Sequence, residues 1–246
     1  MDDSADAPAR PDKPRSPRHE GVESATRAPV VAGPKALPSA QGLVDQLVGA
    51  FREQIRRSLH VELDDSETSL AFVDHYLRMV TDEDRIPIVA LVAAGAGAYF
   101  GEVVRKEIGA MWIGDGRDPR RLRLLLTHQF LYFSPVDQAV EAIAGRSLAE
   151  DDPRVPEGAP FDPSFTLTPP RFNDDDEIVG EHDEDAAWLQ ERLSELAPVP
   201  EDEFVSLTCR FETLKLMLEL LAAKHVTEGK LPRQYTVDDY LEAMNG

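Results

Sequence analysis

The sequence predicts an α+β fold in which a helical layer surrounds one central apolar helix beside a small antiparallel sheet. Three observations lead there. Residues 86–101 form a 16-residue run without a charge, apolar on every side as a buried helix is. Three short segments around Met111–Ile113, Leu122–Leu126 and Phe130–Phe133 alternate in polarity or concentrate aromatics, as strands do. Elsewhere apolar residues recur every three or four positions, the mark of amphipathic helices.

Taken in order, residues 1–38 hold seven of the 19 prolines and balance six acids with six bases. They show no hydrophobic periodicity, so a disordered tail is expected. An α+β core is expected over 39–149. Its first helix starts near Ser39, with Leu43, Leu47, Phe51, Ile55 and Leu59 on one stripe. A second follows Asp64, whose spacing to Glu67 resembles a capping box, and shows Leu70, Val73, Leu77 and Val80 on one face. The third and central helix begins near Pro87 and stops before Gly109. On it Ala93, Gly97 and Gly101 recur every four residues, leaving a face of bare backbone that a neighbour can approach closely.

The sheet comes next. Residues 119–129 read as a strand, with a helix capped by Asp118 ahead of Pro119 as the alternative. Ser134, Pro135 and Asp137 then start a helix that Gly145 stops. Residues 150–182 form a Pro-rich, acidic stretch longer than ordinary connections, which reads as a functional loop or a flexible insertion, and a mobile insertion is expected. C-terminal helices over 183–246 return to the core: a short one around Trp188, a long one from about Glu201 to Thr227, and a last one capped by Thr236 with Asp239. The long helix carries a heptad seam of Leu207, Phe211, Leu214, Leu218 and Leu221, which reads as a core face ahead of a dimeric coiled coil.

Charge narrows the function classes. The net charge is −20, and residues 150–203 carry 18 acids against three arginines, so nucleic acid and anionic membranes are disfavoured partners. The start of the chain lacks a secretory pattern, and residues 86–101 fall short of the ~20 apolar residues that span a bilayer. One cysteine, Cys209, leaves no internal disulfide. A cytoplasmic protein is expected.

The run Tyr99-Phe100-Gly101-Glu102, followed by Gly109 and Trp112, resembles a bacterial domain family of unknown function. In that family a helix with an aromatic-x-Gly-Glu pattern ends at Gly and leads to a Trp-bearing strand. The likeness covers residues 66–145. It implies a small intracellular α+β module of interaction or immunity type, without catalytic residues to carry over.

Few residues offer chemistry. Glu102 has two readings: a partly buried acid of raised pKa, or a structural acid paired with Lys106. The lack of a His, Cys or second carboxylate at fixed spacing favours the second. Trp112 reads as core ahead of ligand stacking. His60, His75, His128 and His225 include no pair at metal-binding helical spacing, and Asp174–Asp185, with eight acids, fails as a calcium loop because Val179 and Ala186 fall on ligand positions. No metal and no cofactor are expected, and nucleophile and nucleotide motifs are absent. Arg117, Arg120, Arg121 and Arg123 oppose the overall charge and read as a solvated turn or as a docking patch for an anionic group, including the chain's own acidic segment.

The expectation is therefore a non-catalytic protein-interaction or regulatory module, monomeric, with Arg117, Arg120, Arg121, Arg123, Tyr99, Glu102 and Trp112 as candidate partner-binding residues. The alternatives are an enzyme using Glu102, Tyr99 and a histidine in one pocket, or a homodimer through the 207–221 seam.

Overall fold

The computed structural model describes residues 39–167 and 184–245. The expected disordered tail and the most acidic part of the insertion lie outside the described residues. The elements are α1 (Ala40–Leu59), α2 (Leu70–Met79), α3 (Ile86–Val104), β1 (Ala110–Ile113), β2 (Arg123–Leu126), β3 (Tyr132–Phe133), α4 (Pro135–Ala144), α5 (Glu184–Ser194), α6 (Glu201–Phe204), α7 (Leu207–Thr227) and α8 (Val237–Asn245). This is the α+β class read from the sequence, with α3 as the central apolar helix.

Local chemistry sets most boundaries. The Ser39 hydroxyl accepts from the Gly42 N–H (3.1 Å) at the start of α1. Ser134 does the same for Asp137 ahead of α4, and Gly145 ends that helix at φ +66°. The expected capping box at Asp64 and Glu67 does not form. Asp64 closes a local turn onto Ser66, and Glu67 reaches across to Lys215 of α7 (3.0 Å), so α2 begins later, at Leu70. Both readings of residues 119–129 hold in part: Asp118 caps one 3-10 turn, Pro119–Arg121, and β2 follows at once.

A five-residue π-helical turn, Arg105–Gly109, prolongs α3 to β1. By length and composition the helical run Ile86–Gly109 is long enough to cross a membrane, contrary to the shorter uncharged stretch, and most of it is buried inside the fold. It packs between α4 and α1. A Cβ at Gly97 would lie 2.6 Å from the Pro135 carbonyl oxygen and 2.6 Å from the Val136 Cα, so the backbones of α3 and α4 touch there. At Gly95 a Cβ would meet the Phe51 ring of α1 at 2.9 Å.

The sheet is antiparallel in the order β1-β2-β3, with Trp112 opposite Leu124 and Leu124 opposite Phe133. Beyond β3, Tyr132 exchanges two backbone hydrogen bonds of 2.9 Å with Thr166. Tyr240 of α8 closes the β2–β3 turn: its hydroxyl accepts from the Leu131 N–H (2.9 Å) and lies 2.8 Å from the Leu126 carbonyl oxygen.

The expected long helix from Glu201 is two helices, α6 and α7. Ser206 caps the second, and the buried Asp74 of α2 accepts from the N–H groups of Leu207 (2.8 Å) and Thr208 (3.0 Å). The heptad seam is core, as expected: Leu207, Phe211, Leu214 and Leu221 are buried where α7 packs on α2, α4 and α5.

Residues 150–167 are not a mobile insertion. They cover α4, a ten-residue helix with every side chain buried. The Asp162 N–H donates to Asp137 (3.1 Å), and Gln138 donates to the Pro163 carbonyl (2.9 Å). Polar side chains on the covered helix need partners once water is excluded, and the loop backbone provides them.

Candidate partner-binding groove

The residues expected to bind a partner are mostly spent inside the fold. Tyr99 is fully buried, and its hydroxyl meets the Asp65 N–H (3.0 Å) and the Ser69 hydroxyl (2.6 Å), tying α3 to the chain ahead of α2. Burial raises its pKa, with those hydrogen bonds acting against the rise. Glu102 pairs with Arg105 (2.9 Å), not Lys106, and accepts from the Trp112 indole N–H (2.7 Å). Burial pushes its pKa upward, but Arg105 and Trp112 outweigh it and hold the carboxyl below its ordinary value, so it is no proton donor at neutral pH. The Trp112 ring lies across Gly101, where a Cβ would strike it. The Gly101-Glu102…Trp112 pattern is thus one packing unit. Tyr99 and Glu102 serve separate networks and do not converge with a histidine.

The four arginines do not share a surface. Arg120 is buried against Asp137 (3.2 Å), donates to the Pro156 carbonyl and stacks over Phe161. Arg123 turns back onto the carbonyls of Arg120 (2.7 Å) and Leu122 (3.0 Å). Arg117 and Arg121 stay exposed, with Arg121 beside Asp118 (3.6 Å). The expected four-arginine docking patch is reduced to two residues because the alternation of β2 and the loop over α4 draw the others inward.

Sequence reasoning missed a buried charge ladder. Asp137 and Glu141, one turn apart on α4, pair with Arg120 and with Arg210 of α7. Desolvation raises the pKa of both acids despite these partners, and burial lowers that of Arg210. Acids at four-residue spacing inside a helix otherwise polar only at Gln138 are the signal that was present.

An open feature lies elsewhere. A cavity of about 670 Å³ is bounded by the C-terminal half of α7, the 228–236 segment and the β2–β3 turn. Its apolar wall comprises Ile108, Leu218, Ala222, Val226 and Leu231, with Val226 79% and Leu231 87% exposed. Exposed aliphatics gathered at a concavity mark interaction sites, unlike single scattered ones.

The rest of the lining inverts the charge of the chain: His128, His225, Lys230 and Arg233 face the groove, and among the described residues no carboxylate lines it. The acids that accompany them stand behind. His225 meets Asp185 (2.7 Å), Lys230 meets Glu228 (2.8 Å) and Arg233 meets Asp239 (2.6 Å).

Two anchors hold the outer wall. The Lys230 N–H donates to the His225 carbonyl (2.9 Å), and the Tyr235 N–H donates to the Thr127 carbonyl (2.8 Å). Tyr235 also packs edge-on against Phe130, which stacks on Tyr240 at 4.3 Å. Nothing in the sequence singles out Leu231; the groove arises from tertiary placement.

No family model, curated protein or solved structure matches the chain. The local likeness over residues 66–145 therefore stands on its short pattern alone.

Proposed function

We propose that this chain is a non-catalytic protein-interaction module of the bacterial cytoplasm, which regulates or neutralises a partner by holding a segment of it in the groove beside α7. The observation that carries this reading is the exposure of Val226 and Leu231 at an apolar cavity of about 670 Å³. Two features support it. Tyr99, Glu102, Asp137 and Glu141, the groups best suited to acid–base work, each hold structural partners. The seam of α7 is occupied within the chain, which supports action as a monomer.

A photo-crosslinking side chain placed at Leu231, in cells that make the protein, tests the reading. A defined adduct should form, disappear when Ala222→Trp fills the groove, and be absent from the same probe at Leu91 of α3, which is 65% exposed but outside the groove. The same adducts from both positions, or none from Leu231, would overturn it.

A further inference from the structure

Between its two anchors, the outer wall of the groove has an unusual backbone. Among the described residues, the N–H groups of Leu231, Arg233 and Gln234 make no hydrogen bond, and all three residues are exposed. Leu231 and Arg233, two apart in an extended stretch, can offer their N–H groups on one side, and such main-chain donors beside an apolar cavity suit an extended peptide, which contributes carbonyls to them and side chains to the cavity. A small apolar molecule would use the cavity and leave the donors idle.

Length and charge define the peptide further. Leu218, Ala222 and Val226 recur every four residues along α7, so the wall is about 12 Å long. An extended chain covers that distance with about four residues. Ala222, at the middle of the wall, leaves room for the peptide backbone to come close.

Arg233 and His128 both line the groove, and the bond from the Tyr235 N–H to the Thr127 carbonyl joins the two segments that carry them. His128 has no ion pair or hydrogen bond among the described residues, and Arg233, whose guanidinium lies over the Tyr235 ring at 4.9 Å, has an exposed ion pair with Asp239. Exposed pairs exchange partners at little cost. An anion is favoured beside Arg233 and His128, which can both donate to it.

We infer that the groove binds the C-terminal tail of a partner protein: about four extended residues, apolar in side chain, paired along residues 231–234, with the terminal carboxylate at Arg233 and His128. The inference rests on the interaction reading above and specifies its occupant. A second copy of the chain is a poor alternative, because two bodies of charge −20 repel.

Random hexapeptides immobilised by their N-termini, in one pool with free C-termini and in another amidated, test this against the labelled full-length chain. Free-acid peptides ending in apolar residues should be retained at least tenfold more often than their amides. Arg233→Glu should reduce the free-acid pool to the amide level, and Ala222→Trp should abolish retention in both pools while leaving the melting temperature unchanged. Equal retention of the two pools, abolished by Ala222→Trp, would sink the terminal-carboxylate inference and leave the groove as an interaction site. Retention of neither pool, or retention indifferent to Ala222→Trp, would overturn both.

Discussion

Gly97 and Gly49 are both interior helix glycines, and the structure assigns them opposite responses to the same substitution. Replacing a helical Gly with Ala gains about 0.8–1 kcal/mol of propensity when nothing else changes. At Gly49 on α1, no atom lies within 4 Å of the added Cβ, so Gly49→Ala should be stabilising by nearly that amount. At Gly97 the Cβ would lie 2.6 Å from main-chain atoms of Pro135 and Val136, well inside contact distance, and backbone cannot rotate away as a side-chain tip can. Overpacking of this kind costs about 1–3 kcal/mol, so the net effect of Gly97→Ala should run from near zero to about 2 kcal/mol destabilising, and Gly97→Leu should be worse. Urea titration followed by circular dichroism measures both, with the slope checked for constancy. If Gly97→Ala stabilises as much as Gly49→Ala, the backbone contact between α3 and α4 does not exist and the central packing described above is wrong.

Other consequences can be measured in the same way. Arg120→Ala leaves Asp137 buried and unpaired and should cost about 3–5 kcal/mol, whereas Arg117→Ala on the exposed turn should stay within about 0.5 kcal/mol; equal effects would refute the partition of the cluster. Tyr240→Phe removes the acceptor of the buried Leu131 N–H and should cost about 1–3 kcal/mol, read as a shift in melting temperature. The raised pKa of Glu141 means that the folded state holds its proton to higher pH than the unfolded chain. Its contribution is therefore fully present below the ordinary glutamate range and lost as pH rises through the raised value. The parent should gain stability relative to Glu141→Gln as pH falls through that window, and a pH-independent difference would contradict it.

What the sequence made legible follows from the range of the forces involved. Helix α3, its close-packed glycine face, the caps at Ser39 and Ser134 and the stop at Gly145 all depend on residues within a few positions of one another. The break between α6 and α7 is only partly local: Ser206 caps α7, but Asp74, 133 residues before Leu207, also accepts from the Leu207 N–H. Arg120 looks like its neighbours in the sequence and is separated from them only by the loop that folds over it. That loop resembled a flexible insertion because its anchors are side chain to backbone, from Gln138 and Asp137 to residues 25 positions away, and leave no periodic trace. Glu102 pairs with Arg105 and not with Lys106, and its spacing could not decide between them, since both lie within helical reach of it.

The phenol of Tyr240 has a bearing on how the β2–β3 turn stays closed. The β2–β3 turn is made more than a hundred residues before the group that satisfies the Leu131 N–H. The polar centre of the turn is closed only when α8 is docked against it. Tyr240→Ala, which leaves that N–H without its acceptor, should therefore open the β2–β3 turn to hydrogen exchange and proteolysis ahead of the rest of the fold.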